Sequence, residues 1–309
     1  MAFRLKDGEP VSKGVKRLAA KELDKAIEVL SARGKGDRDE TVHDARKRLK
    51  KVRALLRLVR DEVGESVYKA ENAALRDAAH PLTEVRDAKV LVDALDGVIE
   101  HAAEGVNGHA FDSLRRALGA NQREVRKRVL EVRGAFTKVK AALREARRRV
   151  KDWPVAKRGW GALEGGLRRV YRAARNAFAT AAAAATVENL HEWRKQVKYL
   201  WHQLEVLEPV WPGMMDVLAE QARVLSGYLG DDHDLAILRQ TLEGDPQKFR
   251  DRNAVEKLLP LLDRRRAELQ RQAAALGQRL HRDRPGEFVR RVKAYWKAWR
   301  AEAGKAERV

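Results

Sequence analysis

One run of cationic side chains in the sequence has the chemistry to bind phosphate oxygens. The run starts at a histidine and places six groups at helical spacing, namely His43, Arg46, Lys47, Lys50, Arg53 and Arg57. At 100° per residue these side chains share one face of a helix, and apolar residues occupy the opposite face. Arg and Lys donate charge-assisted hydrogen bonds to phosphate, and Arg can do so with two N–H groups at once. The run therefore predicts a surface that holds a polyanion.

A second run repeats the first one. The segment VHDARKRLKKVRALLRLVRDEV aligns without a gap on LHEWRKQVKYLWHQLEVLEPVW, which supplies His191, Arg194, Lys195 and Lys198. Two further blocks align in the same order, so that Arg17 matches Arg169 upstream and Asp87 matches Asp234 downstream. A single charged run is usually only a solvated helix face, but repetition in register favours a function. The duplication also argues for two related helical bundles rather than a solenoid of short repeats.

Composition predicts the elements that must position these runs. Ala, Leu, Arg, Glu and Lys dominate the 309 residues, which include only 8 prolines, and this is typical of long helices. The chain is therefore predicted to be all-α, with about a dozen helices between short Gly or Pro breaks. We place two sequence-related bundles at residues 10–152 and 153–309, related by a pseudo-two-fold axis around a basic central groove. Thr41 and Thr186 are the predicted N-caps of the two histidine-bearing helices.

Charge and missing residue types restrict the possible functions. Lys and Arg total 65 against 45 Asp and Glu, which leaves a net charge of +20 and favours polyanionic partners. The absence of cysteine excludes disulfides, zinc fingers and thiol nucleophiles. Phosphate-loop, H-E-x-x-H and G-x-S-x-G motifs are also missing, so we expect no enzyme, no cofactor and no metal site. With no secretory signal and no apolar run of about 20 residues, we expect a cytoplasmic protein without a membrane partner.

Two smaller sets of residues could complete the binding surface. Arg168, Arg172 and Arg175 follow one another at i, i+4 and i+7 on the helix before the second run. They could form a neighbouring wall of the same groove, and a merely solvated face is an equally good interpretation. Asp87 and Asp234 each lie at the foot of an apolar stretch. We expect them to be buried helix-start or salt-bridge residues that orient the cations rather than catalytic groups.

The motifs resemble those of the conserved histidine α-helical domain, or CHAD, family. The resemblance rests on VHDARKRLKKVRALL, RDAKVLVDAL, GLRRVYRAARNAF, NLHEWRKQVKYLWHQLEVL and LGDDHDLAIL, which span most of residues 10–245. It implies two helical bundles around a basic channel that binds inorganic polyphosphate, association with polyphosphate granules, and no catalysis. The residues that it assigns to binding are Arg17, His43, Arg46, Lys47, Lys50, Arg53, Arg168, Arg172, Arg175, His191, Arg194, Lys195 and Lys198.

The sequence also departs from the family pattern. Many relatives carry a triphosphate-processing domain on the N-terminal side, and about ten residues before the first predicted helix leave no room for it here. Lys47 stands where relatives often have Arg, which keeps the charge and loses bidentate geometry. Residues 246–309 match only loosely, so no role is assigned there to Arg264, Arg265, Arg266, Arg290 or Arg291.

Three functions fit the cationic runs, and binding of inorganic polyphosphate leads. A nucleic-acid or nucleoid-associated protein is the alternative, because net charge does not distinguish one phosphate polymer from another. Base contacts usually need aromatic, Asn or Gln side chains among the cations, and the first run has none. A metal-dependent polyphosphate or triphosphate hydrolase would need a carboxylate cluster, for which the sequence offers only Asp231, Asp232 and Asp234. Polymer length and oligomeric state are left open.

Overall fold

A computed structural model describes residues 3–32, 37–102 and 108–306 of the chain, without side chains for 303–306. Within these ranges all regular structure is helical and there are no strands, so the all-α prediction is confirmed. The breaks predicted at Gly34, Gly36 and Gly105 lie outside the described residues. None of the described helices is both long enough and apolar enough to span a bilayer.

Twelve α-helices are described, and seven of them precede residue 153. These seven are α1 (Val11–Ser31), α2 (Arg38–Leu58), α3 (Arg60–Val63), α4 (Glu65–Ala79), α5 (Thr83–His101), α6 (Asp112–Arg126) and α7 (Ala135–Arg149). A π-helical turn, Lys127–Val132, joins α6 to α7. The later five are α8 (Glu164–Ala183), α9 (Val187–Val206), α10 (Pro212–Gly244), α11 (Arg252–Leu280) and α12 (Pro285–Ala306).

The two histidine-bearing helices, α2 and α9, start at different kinds of cap. Thr186 caps α9 as predicted, because its hydroxyl accepts a hydrogen bond from the Asn189 N–H at 3.2 Å. The Thr41 prediction is wrong, since α2 already begins at Arg38 and its N-cap is Asp37. The Asp37 carboxylate accepts a hydrogen bond from the Asp39 N–H at 2.8 Å. It thereby satisfies a backbone N–H group at the start of α2 that the Thr41 side chain cannot reach.

The apolar back of each histidine-bearing helix is buried, as the 3.6-residue periodicity predicts. On α2 and at its C-cap the buried residues include Val42, Leu49, Val52, Leu55, Leu56 and Val59. On α9 and at its C-cap they include Leu190, Trp193, Val197, Leu200, Leu204 and Leu207. The two helices pack against each other, and all of these residues belong to one large hydrophobic core. The duplicated segments therefore meet at the centre of the fold.

The two halves of the sequence differ in how they continue after these helices. In the first half, α4 and α5 are separated by a 3₁₀ turn at His80–Leu82. In the second half, a single helix of 33 residues, α10, covers the corresponding stretch. A second, smaller core lies between α5, α6, α10 and α11, so helices from both halves also share that core. The proposed boundary at residue 153 remains a prediction.

One glycine sets the approach of α8 to α2. A Cβ atom added to Gly166 of α8 would overlap the backbone carbonyl oxygens of Arg57 and Leu58 at the end of α2. Only a residue without a side chain permits this contact. Gly166 therefore determines how closely α8 can pack against α2.

Candidate functional site

A pocket of about 600 Å³ lies between helices of the two halves. Its walls come from α2 and α5 of the first half and from α9, α10 and α11 of the second half. The cationic residues that line it are His43, Arg46, Lys47, Lys50, Arg86, Arg194, Lys198 and Arg265. The structure thus brings together the first four residues of the first run with two residues of the second run.

Arg46 and Arg194 occupy equivalent positions in the two runs and are held differently. Arg46 donates to the hydroxyl of Thr83 at 2.7 Å and to the carbonyl of Ala79 at 3.2 Å. In the alignment Thr83 matches Gly230, and the Arg194 guanidinium packs directly against that glycine, 3.1 Å from the position of a Cβ atom. Within the described chain both Nε atoms are buried without a hydrogen-bond partner. Each of these arginines therefore keeps one buried N–H group without a partner in the free protein.

Lys50 and Lys198 are the next equivalent pair. Neither ammonium group is directly paired with a carboxylate among the described residues. Neither lysine makes a hydrogen bond or ion pair among the described residues. Burial, together with the nearby charges of Arg46 and Arg194, lowers the pKa of Lys50 to about 7. Burial and the charge of Lys50 likewise lower the pKa of Lys198 well below its ordinary value. Two neighbouring half-buried lysines without a directly paired carboxylate destabilise the free protein, and a bound anion would offset that cost.

One carboxylate, Asp234 of α10, balances part of this charge. Arg86 of α5 donates to both of its oxygens, at 3.3 and 3.2 Å, and Arg194 lies 4.0 Å away. The salt-bridge prediction for Asp234 is therefore correct. Its counterpart Asp87 is about half exposed and pairs only with Arg86 at 3.3 Å. The helix-start prediction is wrong for both residues, because each lies inside its helix.

The histidines that open the two runs share an environment that disfavours protonation. The pKa of His43 is lowered by partial burial and by the charges of Lys50 and Lys47. The pKa of His191 is lowered by partial burial and by Arg194 and Lys195. His43 lines the pocket, whereas His191 lies outside the lining and its ring is tilted against the ring of His233, with centroids 4.4 Å apart. The two histidines are thus equivalent in sequence, but only His43 lines the pocket.

Arg53 and Arg57 do not reach the pocket, although they share the helix face of Lys50. Helix α4 covers that end of α2, and both guanidinium groups donate to the side-chain oxygen of Asn72, at 3.0 Å each. Arg57 also lies over the ring of Tyr199 at 3.9 Å, and burial lowers its pKa. Arg53 and Arg57 therefore lie outside the pocket lining, and their role in binding stays a prediction.

The remaining predicted residues also lie outside the pocket. Arg17 is bound to Glu9 in two hydrogen bonds, at 2.7 and 2.6 Å, and it borders a separate groove between α1 and α7. Lys195 is exposed and pairs with Glu192. The expectation that Arg168, Arg172 and Arg175 wall the same groove is not met. Arg168 pairs with Glu164 at 2.7 Å, and the other two are exposed on α8.

Two arginines that line the pocket were not predicted from the sequence. Arg86 belongs to the aligned RDAKVL block, directly beside Asp87, so its position in the duplication could have identified it. Arg265 comes from α11, in the part of the chain to which no role was assigned. It contacts His101 at 3.1 Å and Glu268 at 3.2 Å. No local pattern distinguishes Arg265 from its neighbours, and only the packing of α11 brings it to the pocket.

The acidic residues considered for a metal site are dispersed by the fold. Asp232 is buried and accepts from Arg266 at 3.0 Å and from Gln270 at 2.8 Å. Asp231 and Asp234 line the pocket. In the described part of the chain no group of three or more His, Cys, Asp or Glu side chains is arranged to hold a metal ion.

Comparisons with known proteins agree with this architecture. The family model of the CHAD domain matches residues 17–243. The fold is similar to the crystal structure of the CHAD domain from the plant Ricinus communis, with a TM-score of 0.53 and 15% sequence identity over 96% of this chain and 95% of that chain. No match was found among curated proteins. Because the family model covers most of the sequence, the chain belongs to the CHAD domain family.

Proposed function

We propose that the protein binds inorganic polyphosphate in the pocket between its two halves, and that it captures the polymer without cleaving it. The observation that carries the proposal is the pair Lys50 and Lys198. Both side chains are half-buried in the lining of one pocket, and neither has a carboxylate within salt-bridge distance among the described residues. Such an arrangement stabilises a bound anion more than it stabilises the free protein.

A polymer of phosphate groups fits the distribution of charge better than a single small anion. Cations reach the pocket from both halves, with Arg46 and Lys50 on α2, Arg194 and Lys198 on α9, and Arg265 on α11. The guanidinium groups of Arg46 and Arg194 line the pocket and can donate to phosphate oxygens. Several neighbouring phosphates would satisfy these donors together. Membership of the CHAD family supports this choice of polymer and an association with polyphosphate granules in the cell.

The experiment compares two double variants that remove the same charge. Lys50→Gln with Lys198→Gln alters the pocket, whereas Arg172→Gln with Lys195→Gln alters exposed residues outside it. Binding of long-chain polyphosphate is measured by titration at several salt concentrations. We expect the pocket variant to lose about 100-fold or more in affinity and the surface variant to lose about twofold, since buried charge pairs are screened less by salt. Equal losses would show that only net charge matters.

Nucleic acid is tested as a competitor in the same titration. Lys50 and Lys198 lie in a pocket between helices rather than on an open surface, so the phosphates of a rigid duplex cannot approach them closely. We expect duplex DNA at equal phosphate concentration to leave bound polyphosphate in place. Displacement would favour the nucleic-acid alternative. Release of phosphate from the polymer by the protein with Mg²⁺ or Mn²⁺ would instead favour a hydrolase.

A further inference from the structure

The pocket has an apolar lobe beside its cationic end. Along α5 the lining residues follow one stripe, and in order they are Arg86, Val90, Asp93, Ala94, Gly97 and Val98. The rise of 1.5 Å per residue puts Arg86 and Val98 roughly 18 Å apart. Leu235 of α10 and Leu269 of α11 line the same pocket. The lining therefore changes from cationic to apolar along the length of α5.

Small residues on α5 keep this lobe open. Ala94 and Gly97 are one turn apart on the stripe, and a Cβ atom added to Gly97 would have no neighbouring atom within 4 Å. The space in front of Gly97 is therefore large enough for part of a ligand. Inorganic polyphosphate has no apolar surface, so it would leave apolar walls in contact with water.

An aromatic ring and a free carboxylate also line the pocket. Trp201 of α9 is partly exposed and stacks on His202 at 4.4 Å. Indole rings stack well on planar heterocycles such as nucleic acid bases. Asp231 makes no hydrogen bond or ion pair with any described residue. Its carboxylate can accept hydrogen bonds from the amino groups of a base. The pocket as a whole thus combines apolar walls along α5 with an indole ring from α9 and a carboxylate from α10. This combination suits a planar, partly apolar group with polar edges.

We propose that the pocket also binds nucleoside polyphosphates, with the phosphates at the cationic end and the base in the lobe near Gly97. A volume of about 600 Å³ is within the range of pockets that enclose a ligand of this size. The inference rests on the proposed function, because the phosphates of both ligands would occupy the same lysines and arginines.

The test compares ATP with inorganic tripolyphosphate by calorimetric titration at constant salt. Both ligands carry three phosphates, and tripolyphosphate has the greater negative charge, so charge alone favours tripolyphosphate. We expect ATP to bind the wild-type protein at least about tenfold more tightly, which corresponds to about 1.4 kcal/mol. Replacing Gly97→Leu fills the lobe without altering a cation, and its Cβ meets no other atom. This variant should lose the preference for ATP and keep its affinity for tripolyphosphate within about twofold.

Gly119→Leu is the matched control. Gly119 lies on α6 outside the pocket lining, and a Cβ atom there would meet only the Arg123 guanidinium at 3.5 Å. This variant should retain the preference for ATP. The inference is overturned if the wild-type protein binds ATP no more tightly than tripolyphosphate. It is also overturned if Gly97→Leu weakens the binding of both ligands equally, or weakens the binding of neither. A protein that also fails to bind long-chain polyphosphate would contradict the proposed function as well.

Discussion

Arg86 and Asp234 join the two halves of the protein across the pocket. The Arg86 guanidinium of α5 donates to both carboxylate oxygens of Asp234 in α10, at 3.3 and 3.2 Å. The two side chains are only 23% and 18% exposed. In the sequence alignment Asp234 matches Asp87, which is 52% exposed. Both duplicated aspartates therefore contact Arg86, but only Asp234 lines the pocket and links the two halves.

This difference predicts unequal effects of removing the two carboxylates. Asp234→Ala leaves Arg86 without its inter-half partner and removes the only acidic group near Arg194 within 4.0 Å among the described residues. We expect the free energy of unfolding to fall by about 1–3 kcal/mol. Asp87→Ala should cost less than about 1 kcal/mol, because the carboxylate is solvated. Denaturant unfolding of both variants measures the difference, and equal losses would contradict this account.

Lys198 is predicted to reduce the stability of the free protein while it supports binding. Lys198→Met removes a buried amine that has no partner among the described side chains and keeps a side chain of similar length. We expect the unfolding free energy of the free protein to rise by about 1–3 kcal/mol. The increase in Tm that polyphosphate produces in the wild type should largely disappear.

Thermal unfolding with and without polyphosphate tests both parts of this prediction. The control is Lys195→Met, which alters an exposed lysine three positions away that pairs with Glu192. It should change the unfolding free energy by less than about 0.5 kcal/mol and keep the effect of the ligand. A lower Tm for free Lys198→Met would show that the amine stabilises the fold.

Lys50 is predicted to make binding depend on pH. Its pKa is about 7 in the free protein, and a bound polyanion favours the charged ammonium, so binding takes up a proton above pH 7. Affinity should therefore fall as pH rises above about 7, by up to about tenfold per pH unit. Titrations in buffers with different ionisation enthalpies measure the proton uptake.

The lowered pKa of Lys50 also determines whether the stability of the protein rises or falls with pH. Between about pH 7 and the ordinary lysine value of 10.5, the unfolded chain holds a proton that folded Lys50 has released. The contribution of Lys50 to stability therefore improves as pH rises through this range. Lys50→Arg keeps its charge throughout the range and should remove the part of the pH dependence of binding that Lys50 contributes. Lys198, whose pKa is also lowered well below its ordinary value, retains its own contribution. A variant with the wild-type pH profile would assign the dependence to other groups, such as His43.

Gly166 and Gly227 are predicted to respond oppositely to the same substitution. A Cβ at Gly166 overlaps the end of α2, whereas a Cβ at Gly227 on α10 has no neighbour within 4 Å. Gly166→Ala should destabilise the protein by about 1–3 kcal/mol, because α8 must move away from α2. Gly227→Ala should stabilise it by about 0.5–1 kcal/mol through helix propensity. Unfolding in urea compares the two variants, and stabilisation by Gly166→Ala would rule out the close contact.

The helices and the cationic runs could be predicted because both are local patterns. The spacing of Val42, Leu49 and Leu56 identifies the buried face of α2 wherever α2 packs. The opposite face then contains His43 and Lys50 by geometry alone. The alignment of the two runs likewise predicts that Lys50 and Lys198 are equivalent. These conclusions need only residues within a few helical turns of one another.

Packing between distant helices decided which of these cations share a pocket. Arg53 has the same helix face as Lys50, yet α4 covers it and Asn72 is its partner. Arg265 is far from both runs in sequence, and α11 nevertheless places it in the pocket. Burial and neighbouring charge, which lower the pKa of Lys50 to about 7, also come from several elements. The sequence alone determined an all-helical, duplicated and basic protein, because periodicity and composition are local. Tertiary packing selected the residues that face the pocket, because the identity of each neighbour depends on the whole fold.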